Sequence, residues 1–325
     1  MDVIVRLLPP ELKRKVTQAL DKRWEHLQEI RIRINRPLEF VFDHDNEIRS
    51  NLIASESDGK FLLNQLSEFS LYRLEEELKQ GYITIEGGHR VGLAGKVNVE
   101  AGKVKAIRNV SGFNIRIAKE KIGCADSLFT SLFPEKIKST LLIGEPKSGK
   151  TTLLRDLSRI IGSGTKHLPS YRVGIVDERS EIAGSVNGVP QHQVGVRTDV
   201  MDACPKAEGM MMMIRSMSPE VLIVDEIGSH QDVEAIEEAM HAGITLICSI
   251  HGSSIEQIQH RPSIRRLIER KAFQRYVMLP GFPPNRSPIH IYNQDSTIIR
   301  SVKEGNPYAM DRSRHPSIRY NLDRL

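Results

Sequence analysis

Cysteine is scarce in this chain: its 325 residues hold three, Cys124, Cys204 and Cys248, far apart and without a C-x-x-C pair. That pattern excludes a disulfide-framed secreted domain and a structural zinc site, and fits a reduced, cytoplasmic protein. Aromatic residues are only 5% of the sequence, with a single tryptophan, too few to favour a base-stacking platform for single-stranded nucleic acid. Long apolar runs are absent. A helix that spans a bilayer takes about 20 apolar residues, and the short apolar stretch of "MDVIVRLLPP" ends at two prolines, so neither a membrane span nor a secretory signal is expected. Low-complexity tracts and fixed-period repeats are also missing, which removes solenoid architectures. Charge of one sign does not dominate: 46 Lys and Arg against 41 Asp and Glu leave +5. Such a balance suits anionic partners such as nucleotide, lipid headgroups or nucleic acid and selects none of them.

The composition that remains, 39% hydrophobic and 27% charged, is globular, with length enough for two cores. In the N-terminal part, Leu12, Val16, Leu20, Trp24 and Leu27 recur at helical spacing behind Pro9 and Pro10. "EIRIRI" then alternates Ile30, Ile32 and Ile34 with arginines, so a helix gives way to a half-buried strand. A second helix is expected over residues 60–80, with Leu71, Leu74 and Leu78 on one face and Gly81 as its stop. Two strand-like segments follow, "YITIEGGHRVGLAGKV", broken at Gly87 and Gly88, and "KAIRNVSGFNIRIA". These make an α+β N-terminal domain over residues 1–125.

Beyond it the texture changes to short apolar strands, "TLLIG", "RVGIVDE", "EVLIVDEIG" and "ITLICSIHG", separated by helical runs. Near-continuous apolar strands suit a parallel sheet covered on both faces, and an α/β domain is expected over 126–280. Residues 281–325, rich in Pro, Arg and Asn, read as an irregular C-terminal tail. The Gly-rich segment 184–209 shows little pattern, as functional or disordered loops do. Met210 to Met213 suit flexible core filling, with a subunit contact as the other reading.

Chemistry concentrates in "GEPKSGKTT", Gly144 to Thr152, which fits G-x-x-x-x-G-K-[ST]. Gly144 and Gly149 let the backbone N–H groups of Glu145, Pro146's neighbours, Lys147 and Ser148 curl around a phosphate at the positive end of the following helix. Lys150 would reach the β- and γ-phosphates of ATP, and the Thr151 hydroxyl, followed by Thr152, would hold Mg2+. "VLIVDEIG" supplies a Walker B strand, with Asp225 for the metal and Glu226 to activate water. "VGIVDERSEI" ends in Asp177, Glu178 and Glu181 around Arg179. Two readings stand for these acids, metal or water positioning and a structural ion-pair cluster. If "ITLICSIHG" lies beside the phosphate-loop strand, Ser249 and His251 emerge near the γ-phosphate.

The segments "GEPKSGKTTLLRDLSR", "VGIVDERSEIAGS", "GVRTDVMDACPKAEGMMMMIRSMSPEVLIVDEIGS" and "HAGITLICSIHG", with "GYITIEGGHRVGLAGK" and "NIRIA" upstream, resemble the stage III sporulation protein AA family through most of residues 80–280. That family is similar to the hexameric secretion ATPases of type II, type III-like and type IV pilus or conjugation machines. The resemblance implies a RecA-like P-loop ATPase domain behind a swinging N-terminal domain, with ATP at the interfaces of a homo-hexamer. It also implies peripheral membrane association at the mother-cell face of the forespore outer membrane, energising a channel made by membrane proteins of the same sporulation operon. By motif, Lys150 and Thr151 match Walker A, Asp225 and Glu226 Walker B, Glu178 the acidic box and His251 the histidine box. Ser229 stands where an arginine is expected after "DEIG", and "CSIHG" replaces the more usual "CTAHG". Arg90, Arg108, Arg116, Arg179 and Arg215 are the candidates for a cation given to a neighbour's γ-phosphate. The alternative reading is a nucleic-acid-dependent ATPase, whose support is the basic run 261–275 with Arg261, Arg265, Arg266, Arg270, Lys271 and Arg275.

Overall fold

A computed structural model describes residues 2–43, 45–67, 81–100, 103–166, 168–281 and 288–302. The N-terminal unit opens with helices α1 (Asp2–Leu7) and α2 (Pro10–Leu20). Pro10 takes the first helical turn of α2, where a missing N–H costs nothing. The helix ends at Leu20, short of the expected Leu27: Trp24 sits in a 3-10 turn and Leu27 opens the first strand. The apolar spacing runs on because both elements face one core.

Three strands follow, β1 (Leu27–Arg33), β2 (Pro37–Phe42) and β3 (Asn46–Ile53), then α3 (Glu56–Ser67). Helix α3 begins four residues before the expected start, and the face drawn through Leu71, Leu74 and Leu78 lies outside the described residues. Strands β4 (Tyr82–Ile85), β5 (His89–Glu100) and β6 (Lys103–Arg116) complete an antiparallel sheet in the order β3-β2-β1-β6-β5-β4 among the described residues. Its buried face packs Ile30, Ile32, Phe40 and Ile115 against Leu12, Val16 and Leu20 of α2.

The second unit starts with α4 (Asp126–Leu132), β7 (Thr140–Gly144), α5 (Lys150–Ser163) and β8 (Val173–Asp177). It continues through β9 (Thr198–Asp202), α6 (Lys206–Met217), β10 (Val221–Val224), α7 (His230–His241) and β11 (Thr245–His251). Helices α8 (Ile255–Gln259) and α9 (Pro262–Glu269) lead to β12 (Arg275–Met278), β13 (Ile289–Asn293) and β14 (Ile298–Val302). The sheet order is β14-β13-β12-β7-β11-β10-β8-β9, parallel from β12 to β9.

One sheet face packs Leu142, Ile175, Ile223 and Ile247 under α4 and α5, and the other packs Leu141, Val176, Leu222 and Cys248 under α6 to α9. Each such side chain contributes about 1.5–3 kcal/mol by leaving water. That two-sided demand buries β7, β8 and β10 at every position and fills them with apolar residues except at Thr140 and Asp177. Met210 and Met213 are buried in this core, with Met213 filling the space over Gly174, where an added Cβ would meet its Cγ at 2.6 Å.

The structure corrects two expectations. The tail 281–325 is not irregular throughout: residues 289–302 form the antiparallel hairpin β13–β14. Segment 184–209 holds the edge strand β9. Edge strands are partly solvated, so β9 has no apolar run, and Ile298 and Ile299 of β14 stand exposed.

Candidate functional site

The parallel strands end at one edge of the sheet, and the polar residues singled out in the sequence meet there. Strand β7 delivers the phosphate-type loop. Gly149 has φ of 90° and caps α5, a left-handed conformation that favours glycine. At Gly144 a Cβ would lie 2.4 Å from Ser148 Oγ and 3.2 Å from Leu279 Cβ, so a side chain there would displace the Ser148 hydroxyl from the loop. Glu145, Pro146 and Lys147 form the exposed rim, and Thr152 lies in the first turn of α5. Lys150 Nζ donates to the carbonyls of Gly144 and Glu145, both at 2.8 Å. Burial lowers its pKa, opposed by the nearby charges of Asp225 and Glu226.

Asp225 and Glu226 leave the end of β10, two strands from β7. Thr151 Oγ1 donates to Asp225 Oδ2 at 2.6 Å, joining the head of α5 to that strand. Ser249, buried on the intervening β11, donates its hydroxyl to Asp225 Oδ1 and accepts the Glu226 N–H at 2.9 Å. Glu226 has φ of 55°, and its half-exposed carboxylate pairs with Arg179 Nη1 at 3.1 Å. The pairing of β11 with β7 sets His251 beside Gly144, with Nδ1 3.3 Å from the Gly144 carbonyl. Thus Gly144, Lys150, Thr151, Asp225, Glu226, Ser249 and His251 form one cluster.

The acids after β8 divide. Asp177 is buried, and its carboxylate accepts the N–H groups of Glu181, Ile182 and Ala183 at 2.7, 2.9 and 2.8 Å. Burial pushes its pKa up to about 6, against the pull of those donors. It anchors its own loop, as a structural residue does. Glu178 pairs with Lys206 and lines, with Glu226 and Asp232, a cleft of about 370 Å3. Arg155 of α5 fixes the same loop by donating to the carbonyls of Ile182 and Glu181, both at 2.6 Å. Ser229 caps α7 in a reciprocal capping box with Asp232, so the position without the expected arginine has a helix-starting task instead.

Among the arginine candidates, Arg90 pairs with Glu181 at 2.9 Å and lies over the Tyr82 ring. Arg116 is exposed, Arg215 donates to its own helix at Met211 O, and the Arg108 side chain lies outside the described residues. The signals that sequence reasoning missed, the Asp177 anchor and the Arg179–Glu226 pair, are products of tertiary folding. Burial raises the pKa of all three cysteine thiols, Cys124 to about 12, which keeps them protonated and poorly nucleophilic.

The donor set fits a nucleotide with Mg2+. Ser148 Oγ is buried in the loop without a hydrogen-bond partner, Gly149 has open space where a Cβ would stand, and the Thr151–Asp225 pair offers a hydroxyl and one carboxylate. Mg2+ is usually held by one or two carboxylates with phosphates and waters completing its shell.

The family model described as "Sporulation stage III, protein AA" matches residues 1–298. The chain belongs to this family. Stage III sporulation protein AA of Bacillus subtilis (strain 168) is 49% identical over 299 residues, 92% of this chain and 97% of the relative. The uncharacterized protein ycf45 of Cyanidium caldarium is 33% identical over 49% of this chain and 46% of its own length. In fold, the chain is similar to the pilus retraction motor PilT solved with bound ADP, at a TM-score of 0.57 and 17% identity over 85% of this chain and 81% of that one. The ATPase DotB of Legionella pneumophila gives 0.51 and 14% over 89% and 76%. The chain therefore has the RecA-like fold of these two ATPases, an α/β domain with a parallel sheet preceded by a smaller α+β one.

Proposed function

We propose that the chain is an Mg2+-dependent ATPase that works as a homo-hexameric motor. The observation that carries this reading is the Thr151–Asp225 hydrogen bond of 2.6 Å, which sets hydroxyl, carboxylate and Lys150 around one point. Lys150 and the loop N–H groups would bind the phosphates, and Glu226 would take a proton from the attacking water. Mg2+, held by Thr151 and Asp225, would neutralise charge on the β- and γ-phosphates. Glu178, at the cleft beside Glu226, and His251, on the Gly144 carbonyl, would position water and sense the loop.

The half-exposed Glu226 leaves the site open to a neighbour, and a cation from that neighbour would add stabilisation at the γ-phosphate. The family membership and the 49% identity to a sporulation protein support a task in sporulation. There the ring would sit in the mother cell, peripheral to the forespore outer membrane, and energise a channel built by membrane proteins of the same operon. No helix among the described residues is long and apolar enough to cross a membrane.

Purified Lys150→Ala is expected to lose nucleotide binding. Glu226→Gln is expected to bind ATP and turn over about 10²- to 10⁴-fold more slowly, the usual size of acid–base catalysis. An unchanged rate in Glu226→Gln removes that residue from the mechanism. Light scattering with a non-hydrolysable ATP analogue tests the ring: a strictly monomeric species at micromolar concentration rejects it.

A further inference from the structure

We propose that Arg179 is a positioning residue that holds Glu226 away from the phosphate loop, and that the N-terminal unit sets this restraint by gripping the loop that carries Arg179. The proposal deepens the ATPase reading and rests on Glu226 as the water-activating carboxylate.

The strand order gives the direction of the restraint. From the phosphate loop outward the strands run β7, β11, β10, β8. Asp225 and Glu226 follow β10, and Arg179 follows β8, on the far side of β10 from the loop. Asp225 turns toward the loop, to Thr151. Its neighbour Glu226 turns the other way, to the Arg179 guanidinium at 3.1 Å. A left-handed φ of 55° at Glu226 accompanies this divergence. Two bonds from β11 fix that backbone: Glu226 N–H to Ser249 Oγ and Ile227 N–H to the Ser249 carbonyl, both at 2.9 Å. A non-glycine residue keeps such a conformation only where its surroundings impose it.

The loop that carries Arg179 is held in turn from the N-terminal unit. The Arg179 carbonyl accepts the Tyr82 hydroxyl at 3.3 Å and a bond from Arg90 Nη2. Arg90 also pairs with Glu181, two residues further on, at 2.9 Å. Both gripping residues lie on the β4–β5 hairpin. Withdrawal of that hairpin would free the loop, and with it the Glu226 carboxylate, which can then turn back toward the γ-phosphate. The strength of the latch suits a switch. Arg179 is 63% and Glu226 50% exposed in the pair, and exposed ion pairs are weak and reversible.

The test measures steady-state hydrolysis and binding of a fluorescent ATP analogue on the full chain. Arg179→Ala is expected to raise kcat about three- to fivefold with KM for ATP and analogue affinity unchanged, equivalent to about 0.6–1 kcal/mol at 1.4 kcal/mol per tenfold. Arg179→Lys, which keeps the charge, should bring kcat back toward wild type. Tyr82→Phe, which removes one grip and leaves both ion pairs, should give a smaller rise. In a Glu226→Gln background Arg179→Ala should give none. Circular dichroism melting checks folding, and if Arg179→Ala unfolds, Arg179→Gln and Tyr82→Phe carry the same expectation. A kcat for the neutral variant equal to or below that of wild type, with binding intact, overturns the latch. Hydrolysis that depends on Lys150 but ignores Arg179 overturns this proposal alone. If the wild type shows no Lys150-dependent hydrolysis, the ATPase reading fails and takes the latch with it.

Discussion

At the scale of single residues, Ser249 shows how much one buried hydroxyl can hold. It is fully buried and serves both members of the acidic pair, donating to Asp225 and accepting from the Glu226 N–H. Ser249→Ala leaves a backbone donor and a carboxylate oxygen short of a partner, at a cost of about 1–3 kcal/mol. The exposed Arg179–Glu226 pair contributes at most about 1 kcal/mol, so the serine, not the ion pair, governs stability at this site. Ser249→Ala is therefore expected to lower the urea midpoint and to reduce kcat more than tenfold, with ATP affinity changed only a few-fold because Lys150 and Thr151 remain. A variant with unchanged midpoint and turnover would make the hydroxyl a bystander. The cluster of Gly144, Lys150, Thr151 and Asp225 was legible in the sequence because phosphate chemistry ties those residue types to fixed spacings. Asp177 was not: whether an acid meets a metal or three N–H groups of its own loop depends on how that loop folds.

At the scale of elements, the hairpin β4–β5 docks on the loop between β8 and β9 where Gly88 meets His192 and Gly184. Gly88, with φ of 72°, presses on the His192 ring, where a Cβ would stand 2.7 Å from Nε2, and Gly184 meets the same ring. Gly87 N–H bonds Gln191 Oε1 at 3.0 Å beside them. His89 Nδ1 accepts the Ala118 N–H at 2.9 Å, so its neutral ring carries the proton on Nε2. Burial pulls both histidines from 6.5 down to about 4. Folding thus favours the neutral rings; that contribution is complete above about 6.5 and is lost as pH falls toward about 4. Urea midpoints are expected to hold steady from pH 8 to 6.5 and to decline below it. His89→Asn keeps an acceptor near the Nδ1 position and removes one titration, so its slope should be shallower by at most about 1.4 kcal/mol per pH unit. Identical slopes would place the acid sensitivity elsewhere. The strands β7, β8, β10 and β11 could be read in advance because two-sided burial leaves an apolar run. This docking could not, since a histidine against a glycine has no periodicity.

At the scale of the whole molecule, the choice between a motor and a nucleic-acid-dependent ATPase turns on where the basic run 261–275 spends its charge. Arg266 and Arg270 both reach the buried Glu237 of α7, at 2.7 and 3.2 Å. Arg265 pairs with Glu269 and Lys271 with Asp295. Ile264 and Leu267 face the core from the same helix. The run therefore fastens α9 to α7 through two of its six cations, Arg266 and Arg270, held at a buried carboxylate, while the exposed pairs of Arg265 and Lys271 are weak. Single-strand binding needs free cations, because log affinity falls with log salt by about 0.7 per phosphate contact. Homopolymeric single-stranded DNA or RNA is expected to change ATP hydrolysis less than twofold, with weak binding and a shallow salt slope. Arg266→Ala should lower stability by about 1–3 kcal/mol, since it strips a charge-assisted partner from a buried carboxylate, and leave the response to nucleic acid as it was. Manyfold stimulation with steep salt dependence, abolished by Arg266→Ala in a protein that still melts like wild type, would reverse the assignment and make the run a phosphate track.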